Sequence, residues 1–155
     1  MKIGLGLTGD ALNRMEKAAR IAQKSVDEAV RTASMRVVRE AKINVRQVLN
    51  TTGKSKGRLV GSITTADVPG EPLARAIGTD VIYARIHEYG GTITPVHANK
   101  LAIPLDDGGV AFVDSVTIPP RPYLRPALDA VTPQIQEDFE AVINYIFGMT
   151  GGGGA

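Results

Sequence analysis

The sequence predicts an α+β domain in which a long N-terminal helix packs on a small, mostly antiparallel sheet with an extended hairpin, and a C-terminal helix closes the fold. Three observations carry this prediction. Residues 10–50 contain neither Pro nor Gly and repeat apolar side chains by threes and fours. Residues 59–118 change to short runs rich in β-branched residues, punctuated by Gly, Pro and Asp. From Leu124 onward helical spacing returns. The 155 residues suit one domain with one core, expected over 1–147, with 148–155 (ending GGGGA) as a flexible tail. Apolar residues at 43% and charged residues at 22% are ordinary for a folded chain, which argues against wholesale disorder.

At the start, Ile3, Leu5 and Leu7 alternate with Lys2, Gly4, Gly6 and Thr8, the period of a half-buried strand. Thr8 or Asp10 is placed to cap the helix that follows, accepting from its free first-turn amides. Gly4, Gly6 and Gly9 have the G-x-G-x-x-G spacing of dinucleotide-binding turns. The match fails, because only three residues precede Gly4 and Glu28 falls within the helix instead of on a following strand. Along the helix, Leu12, Met15, Ala19, Ala22, Val26, Ala29, Ala33, Val37, Ala41, Val45 and Val48 form one stripe. About 40 residues at 1.5 Å each give roughly 60 Å, more than a domain of this size is wide. Part of the helix is therefore expected to lie on another molecule. A sister subunit is the simplest candidate, since the Ala-rich stripe lacks the large residues of a coiled coil.

Residues 50–61 read as a polar loop. Gly53, Lys54 and Ser55 look like the end of a phosphate-binding loop, but the required earlier Gly is Val48 and the preceding element is helical. Lys54, Lys56 and Arg58 are left as basic side chains that either meet phosphates or stay solvated. Strands are expected at 59–68, 73–77 and 81–87, with a VPGEP turn at 68–72 and a Gly78-Thr79-Asp80 corner. On the third strand, Ile82, Ala84 and Ile86 would face the core, and Val81, Tyr83, Arg85 and His87 the other side. After Gly90-Gly91, residues 92–117 predict a hairpin with DDGG at its turn and Pro95 and Pro104 in edge-like strands. Such a hairpin, polar at its tip, can clasp a neighbour. PPRPYLRP then leads into a helix over 124–147, in which Pro126 fits the first turn and Thr132-Pro133 predicts a break or restart.

No chemistry converges. The absence of Cys removes disulfides, thiolate metal sites and Cys nucleophiles, and fits a reducing compartment. His87-Glu88 lacks a second His at position 91, which is Gly, so a metal held by His87, His97, Asp106, Asp107 or Asp114 would need an unseen arrangement. No G-x-S-x-G surrounds any Ser. An enzyme, a cofactor and a metal are accordingly not expected. The N-terminus lacks a signal-peptide pattern and no window reaches the ~18 apolar residues of a membrane span. Net charge is only +2, yet residues 1–65 carry 13 Lys and Arg against 5 acids while residues 66–155 carry 5 against 11. A subunit so polarised can stack head to tail with its copies or present its basic half to nucleic acid; a solvated basic helix reads the same way. With no Trp, three Phe and four Tyr, no aromatic platform for bases is visible.

Several short motifs in a fixed order resemble a known family. Gly57, Leu59, Ser62 and Ile63 come first, then Gly78-Thr79, Tyr83-Ala84, Glu88-Tyr89-Gly90, and finally the run Arg121 to Ala127. This order resembles the tail-completion or neck proteins of tailed bacteriophages, also called phage tail components or virion morphogenesis proteins. The resemblance implies an α+β fold, no enzymatic activity, and a ring of six copies at the head–tail joint of a virion assembled in the bacterial cytoplasm. It implies partners among the chain's own copies, other neck or connector proteins and tail-tube proteins, with DNA in passing and no membrane. Tyr83, Glu88, Tyr89, Arg121, Tyr123, Leu124 and Arg125 are then the expected interface residues, Arg and Tyr being enriched in such positions. Lys42, Arg46, Lys54, Lys56 and Arg58 are the expected DNA-facing ones. The segment 92–119 is longer than in compact members, so tail completion, tail termination and a Mu-like morphogenesis role all stay open, as does a gene-transfer particle.

Overall fold

The computed structural model describes residues 8–49, 55–105 and 107–151; the strand expected over residues 1–7 lies outside them. Helix α1 (Gly9–Val48) starts where the capping argument places it, with Thr8 Oγ1 accepting from the Ala11 amide at 3.4 Å. Its buried positions, Ala33, Ser34, Val37, Ala41 and Val45, all lie in the C-terminal half. The N-terminal half leaves Leu12 and Met15 exposed, as the excess length predicts.

Helix α2 (Ser55–Ser62) replaces the described part of the expected loop and the start of the expected strand; residues 50–54 of that loop lie outside the described residues. Leu59 and Ile63 explain the difference: both are fully buried and four residues apart, a helical spacing that a polar, Gly-containing context masks. Strands β1 (Thr64–Val68) and β2 (Glu71–Gly78) pair antiparallel around Gly70, whose φ of 82° suits a residue without Cβ. Arg75 on β2 ties this ribbon to α1, reaching Asp27 at 3.3 Å while also pairing with Asp67 across the ribbon.

Residues 84–89 form helix α3 (Ala84–Tyr89), not the expected third strand. Val81, Ala84 and Glu88 are buried, spaced by three and four, whereas Ile82, expected inside, is 98% exposed. Alternation among the apolar residues alone predicts a strand, because it leaves out Glu88, the charged member of the buried set. Thr79 steers the chain into this segment, its hydroxyl accepting from the Val81 amide at 3.1 Å and meeting the Ser62 hydroxyl at 2.6 Å.

The expected hairpin is present and extended. Strand β3 (Gly91–Ile93) pairs with β6 (Val116–Ile118) at its base, and β4 (Leu101–Pro104) pairs with β5 (Val110–Val113) near its tip. Among the described residues the sheet expected as one is thus three two-stranded antiparallel ribbons. Helix α4 (Leu124–Gly151) then runs antiparallel to α1, fixed by Asn44 Nδ2 donating to the Tyr123 carbonyl at 3.2 Å and by an Arg36–Asp138 ion pair. It passes through Pro133 without breaking and includes Gly148–Gly151 of the expected tail, whose residues 152–155 lie outside the described residues. An internal Pro costs about 3 kcal/mol. Here it lies on the exposed side, while Val131 and Ile135 on either flank pack against the core and hold the helix together.

The core collects at one end of the molecule, where Val37, Ala41, Val45 and Leu49 of the α1 end meet Leu59, Ile63, Val81, Ala84, Tyr123 and Ala127. Among the described residues no helix is long and apolar enough to cross a membrane. Because Leu59 anchors α2 in this core, Leu59→Ala should lower unfolding stability by about 3 kcal/mol, whereas Leu12→Ala on exposed α1 should stay within about 0.5 kcal/mol. Urea titration of both variants checks this, and equal effects would remove α2 from the core.

Candidate assembly surface

The most organised side chain in the structure is Glu88. It sits at the end of α3, buried, and aims its carboxylate at the start of α4. Oε2 accepts from the amides of Tyr123 at 2.8 Å and Leu124 at 3.0 Å, and Oε1 from that of Arg125 at 3.1 Å. A helix leaves its first amides without partners inside the helix, and its N-terminus carries partial positive charge. Glu88 answers both demands, and Pro126, next in line, has no amide to satisfy. This gives the Arg121-to-Ala127 run its physical logic, with the amides of residues 123–125 offered to a carboxylate 35 residues earlier.

The same joint is closed by backbone. The Arg121 amide donates to the His87 carbonyl at 2.7 Å. Gly90, with φ of 70°, lies against Pro120, and a Cβ there would come within 2.8 Å of the Pro120 ring and 2.9 Å of the Ile118 carbonyl oxygen. The Glu-aromatic-Gly motif therefore codes a crossing of two chain segments, carboxylate on one side and bare backbone on the other.

Tyr123 is fully buried beneath the crossing, where burial and then the nearby Glu88 and Tyr89 push its hydroxyl up to about 12, so it stays protonated at ordinary pH. Tyr83 and His87 meet edge to face with ring centres 5.9 Å apart. Among the described residues the buried His87 Nδ1 has no hydrogen-bond partner, and burial, then the positive Arg121, hold its imidazole below the usual 6.5.

These positions sort the expected interface residues. Tyr89, Arg121 and Arg125 are exposed at the crossing, and Tyr83 and Leu124 are half-buried beside them. Glu88 and Tyr123, expected to face a neighbour, are instead inside the chain and hold its elements together. Of the expected DNA-facing residues, Lys42 and Arg46 sit one turn apart on α1, Arg46 exposed, and Arg58 is exposed on α2. Lys54 lies outside the described residues, and Lys56 falls within the span of α2. Among the described residues no group of three or more His, Cys, Asp or Glu is placed to hold a metal ion.

From the crossing springs the arm, residues 91–118, whose strands, among the described residues, pair only with each other. At the base, Thr92 and Thr117 meet through their hydroxyls at 3.1 Å on one face, while Ile93 and Val116 make the other apolar. Near the tip the register changes the character of the ribbon. Leu101 faces Val113 and Ile103 faces Ala111 on one side; Ala102 faces Phe112 and Pro104 faces Val110 on the other. Both faces are apolar, and Phe112 is 66% exposed. A lone two-stranded ribbon is marginal in water unless further strands or a helix cover it. The polar DDGG turn predicts a polar tip, but LAIP and VAFV beside it have no polar side to turn outward. The turn is well formed, with Leu105 and Gly109 joined by backbone at 2.8 Å and Asp107 Oδ1 accepting from the Gly109 amide at 2.9 Å.

An open groove of about 450 Å³ runs between α1 and α4, floored by Ala29, Ala141, Val142 and Tyr145 with Arg36 and Asp138 at its rim. Ser25, Glu28 and Thr32 of α1 complete its lining. An α+β domain whose polar side chains join elements, and whose arm is left apolar on both faces, has the marks of a structural subunit. The chain belongs to the phage virion morphogenesis family, whose model matches residues 25–146, from within α1 to near the end of α4. Membership gives it a structural or assembly role in a phage particle and associates it with the virion. No curated protein and no solved structure matches it.

Three outcomes follow for the crossing. Glu88→Gln puts an amide donor among donors and removes the charge, and should cost about 2–4 kcal/mol in urea titration. Gly90→Ala should destabilise by at least about 2 kcal/mol, since it adds a strained φ to a backbone clash. With the folded-state pKa of His87 lowered, the unfolded chain binds more protons below pH 6.5; the His87 contribution is complete above that value and is lost as pH falls. Between pH 7.5 and 5, about the range in which an unperturbed His titrates, the thermal midpoint of His87→Gln should decline less than that of the parent; parallel declines would refute the assignment.

Proposed function

We propose that the chain is a subunit of an oligomeric ring at the head–tail joint of a phage or phage-like particle, completing or connecting the tail and letting DNA pass. The observation that carries this reading is the arm. A ribbon apolar on both faces, anchored by a rigid crossing and unpaired with the rest of its own chain, gains stability by lying between other molecules. The exposed Leu12 and Met15 on the N-terminal half of α1 supply a second surface of the same kind. Tyr89, Arg121 and Arg125, exposed around the base of the arm, are the contacts we assign to the neighbouring subunit. Six copies is the number we favour, with connector and tail-tube proteins above and below.

Lys42, Arg46 and Arg58 support a second role, contact with the DNA that passes, since their charges sit on the two helices at the C-terminal end of α1. Such contact is made to phosphates without base reading, and its affinity falls steeply with salt. A tail terminator built from the same parts would use the same surfaces.

Native mass spectrometry and negative-stain imaging of the full chain test the ring. Rings should form at micromolar concentration, and replacing residues 96–115 by a short turn should weaken self-association at least about a hundredfold while leaving most of the core intact. A parent chain that stays monomeric at all concentrations, alone and with tail or capsid fractions, would sink the proposal.

A further inference from the structure

We infer that the arm of one copy docks its acidic turn on the basic flank of α1 in a second copy, in a head-to-tail contact around Arg20 and Lys24. This rests on the ring reading above and adds to it the two surfaces that meet. On the donor side, the arm between Leu101 and Val113 carries carboxylates and no cation, and Asp107 is exposed at the turn. The arm's Lys100 lies further back, where it pairs with Asp114 at 3.7 Å, so the tip charge is not neutralised from within. Leu105, Val110 and Phe112 flank the turn with exposed apolar area.

The receiving side offers the complement. Lys17, Arg20 and Lys24 recur by three and four and so share one face of α1. Among the described residues Lys17 and Lys24 have no acidic partner, and Arg20 has only an exposed contact to Glu16 at 4.0 Å. Asp27, which lines the same hollow as Arg20 and Lys24, has its charge met by Arg75 at 3.3 Å. Arg20 and Lys24 border a hollow of about 470 Å³ closed on the other side by Pro72 and Leu73, Leu73 exposed. Basic charge beside an apolar hollow matches a turn that is acidic with apolar flanks.

Position decides between the same chain and another. The arm leaves the body at the crossing, level with Asn44 at the C-terminal end of α1. Lys24 is 20 residues back along that helix, about 30 Å away. Among the described residues no ion pair joins Asp107 to Lys17, Arg20 or Lys24 of the same chain, so each copy can give one arm and receive another. That is a heterologous contact, the kind that closes into a ring when its rotation permits.

Charge exchange on the full chain tests the pairing, with thermal melts confirming that each variant folds. Asp107→Lys alone, and Arg20→Glu with Lys24→Glu, should each weaken self-association about tenfold in sedimentation velocity at about 50 mM salt, and all three together should recover to within about threefold of the parent. Phe112→Ser should weaken it in every background. Rings that form equally well in each single variant would overturn the contact while leaving the ring reading intact. A parent that never associates would defeat both. Loss of duplex DNA binding in Arg20→Glu with Lys24→Glu, with association unchanged, would assign the flank to phosphates instead and overturn the proposal.

Discussion

One buried carboxylate organises the molecule. Glu88 is taken out of water by the chain around it, a cost that only strong partners offset. Those partners are the first amides of α4, which would otherwise be unpaired donors at a partly buried helix end. Two costs cancel when they face each other, and the result fixes a long helix relative to a short one. With α4 so held, Tyr123 and Ala127 are pressed on Ala41 and Val45, and the small residues of α1 become useful because they let α4 approach closely. The crossing at Gly90 and Pro120 is the backbone half of the same joint.

The core built on this joint is small and sits at one end. Two helices extend away from it, and between them lies an open groove instead of tight packing. Burial thus falls along α1 from Val45, fully buried, to Leu12, 47% exposed. Local opening should follow the same gradient, with the distal helix turns at the low-stability end of the molecule. A surface of this kind is normally completed by something outside the chain.

Much of the fold was legible in the sequence, and the exceptions share a cause. The helices α1 and α4 declare themselves because a 3.6 period repeated over many turns has no competitor. The arm declares itself through DDGG and the Pro-marked strands. Helices α2 and α3 escape because six or eight residues hold too few repeats to separate one period from another; Val81, Ala84 and Glu88 made the helical case only if a charged residue was allowed inside. Pro133 misled in the opposite sense, since a local rule lost to packing on both of its sides. The joint itself was present as motif letters, Glu-aromatic-Gly and Arg-Pro-aromatic-Leu-Arg-Pro-Ala, without any hint that one binds the other. Pairing between segments 35 residues apart is a property of the folded chain and leaves no periodic trace. For that reason nothing in the sequence marks Glu88 and Tyr123 as inward-facing.

The division of the strands into three unconnected ribbons has a consequence for how such a chain diversifies. Because β4 and β5 share no ladder with the ribbon on α1, a substitution near the tip propagates no register change into the body. The crossing ends the arm as a hinge pin ends a hatch, and what lies beyond it can be lengthened, shortened or rewritten while the helices keep their seating. Body and arm are in this sense separately inheritable: the first constrained by its own packing, the second free to track whatever surface it has to fit.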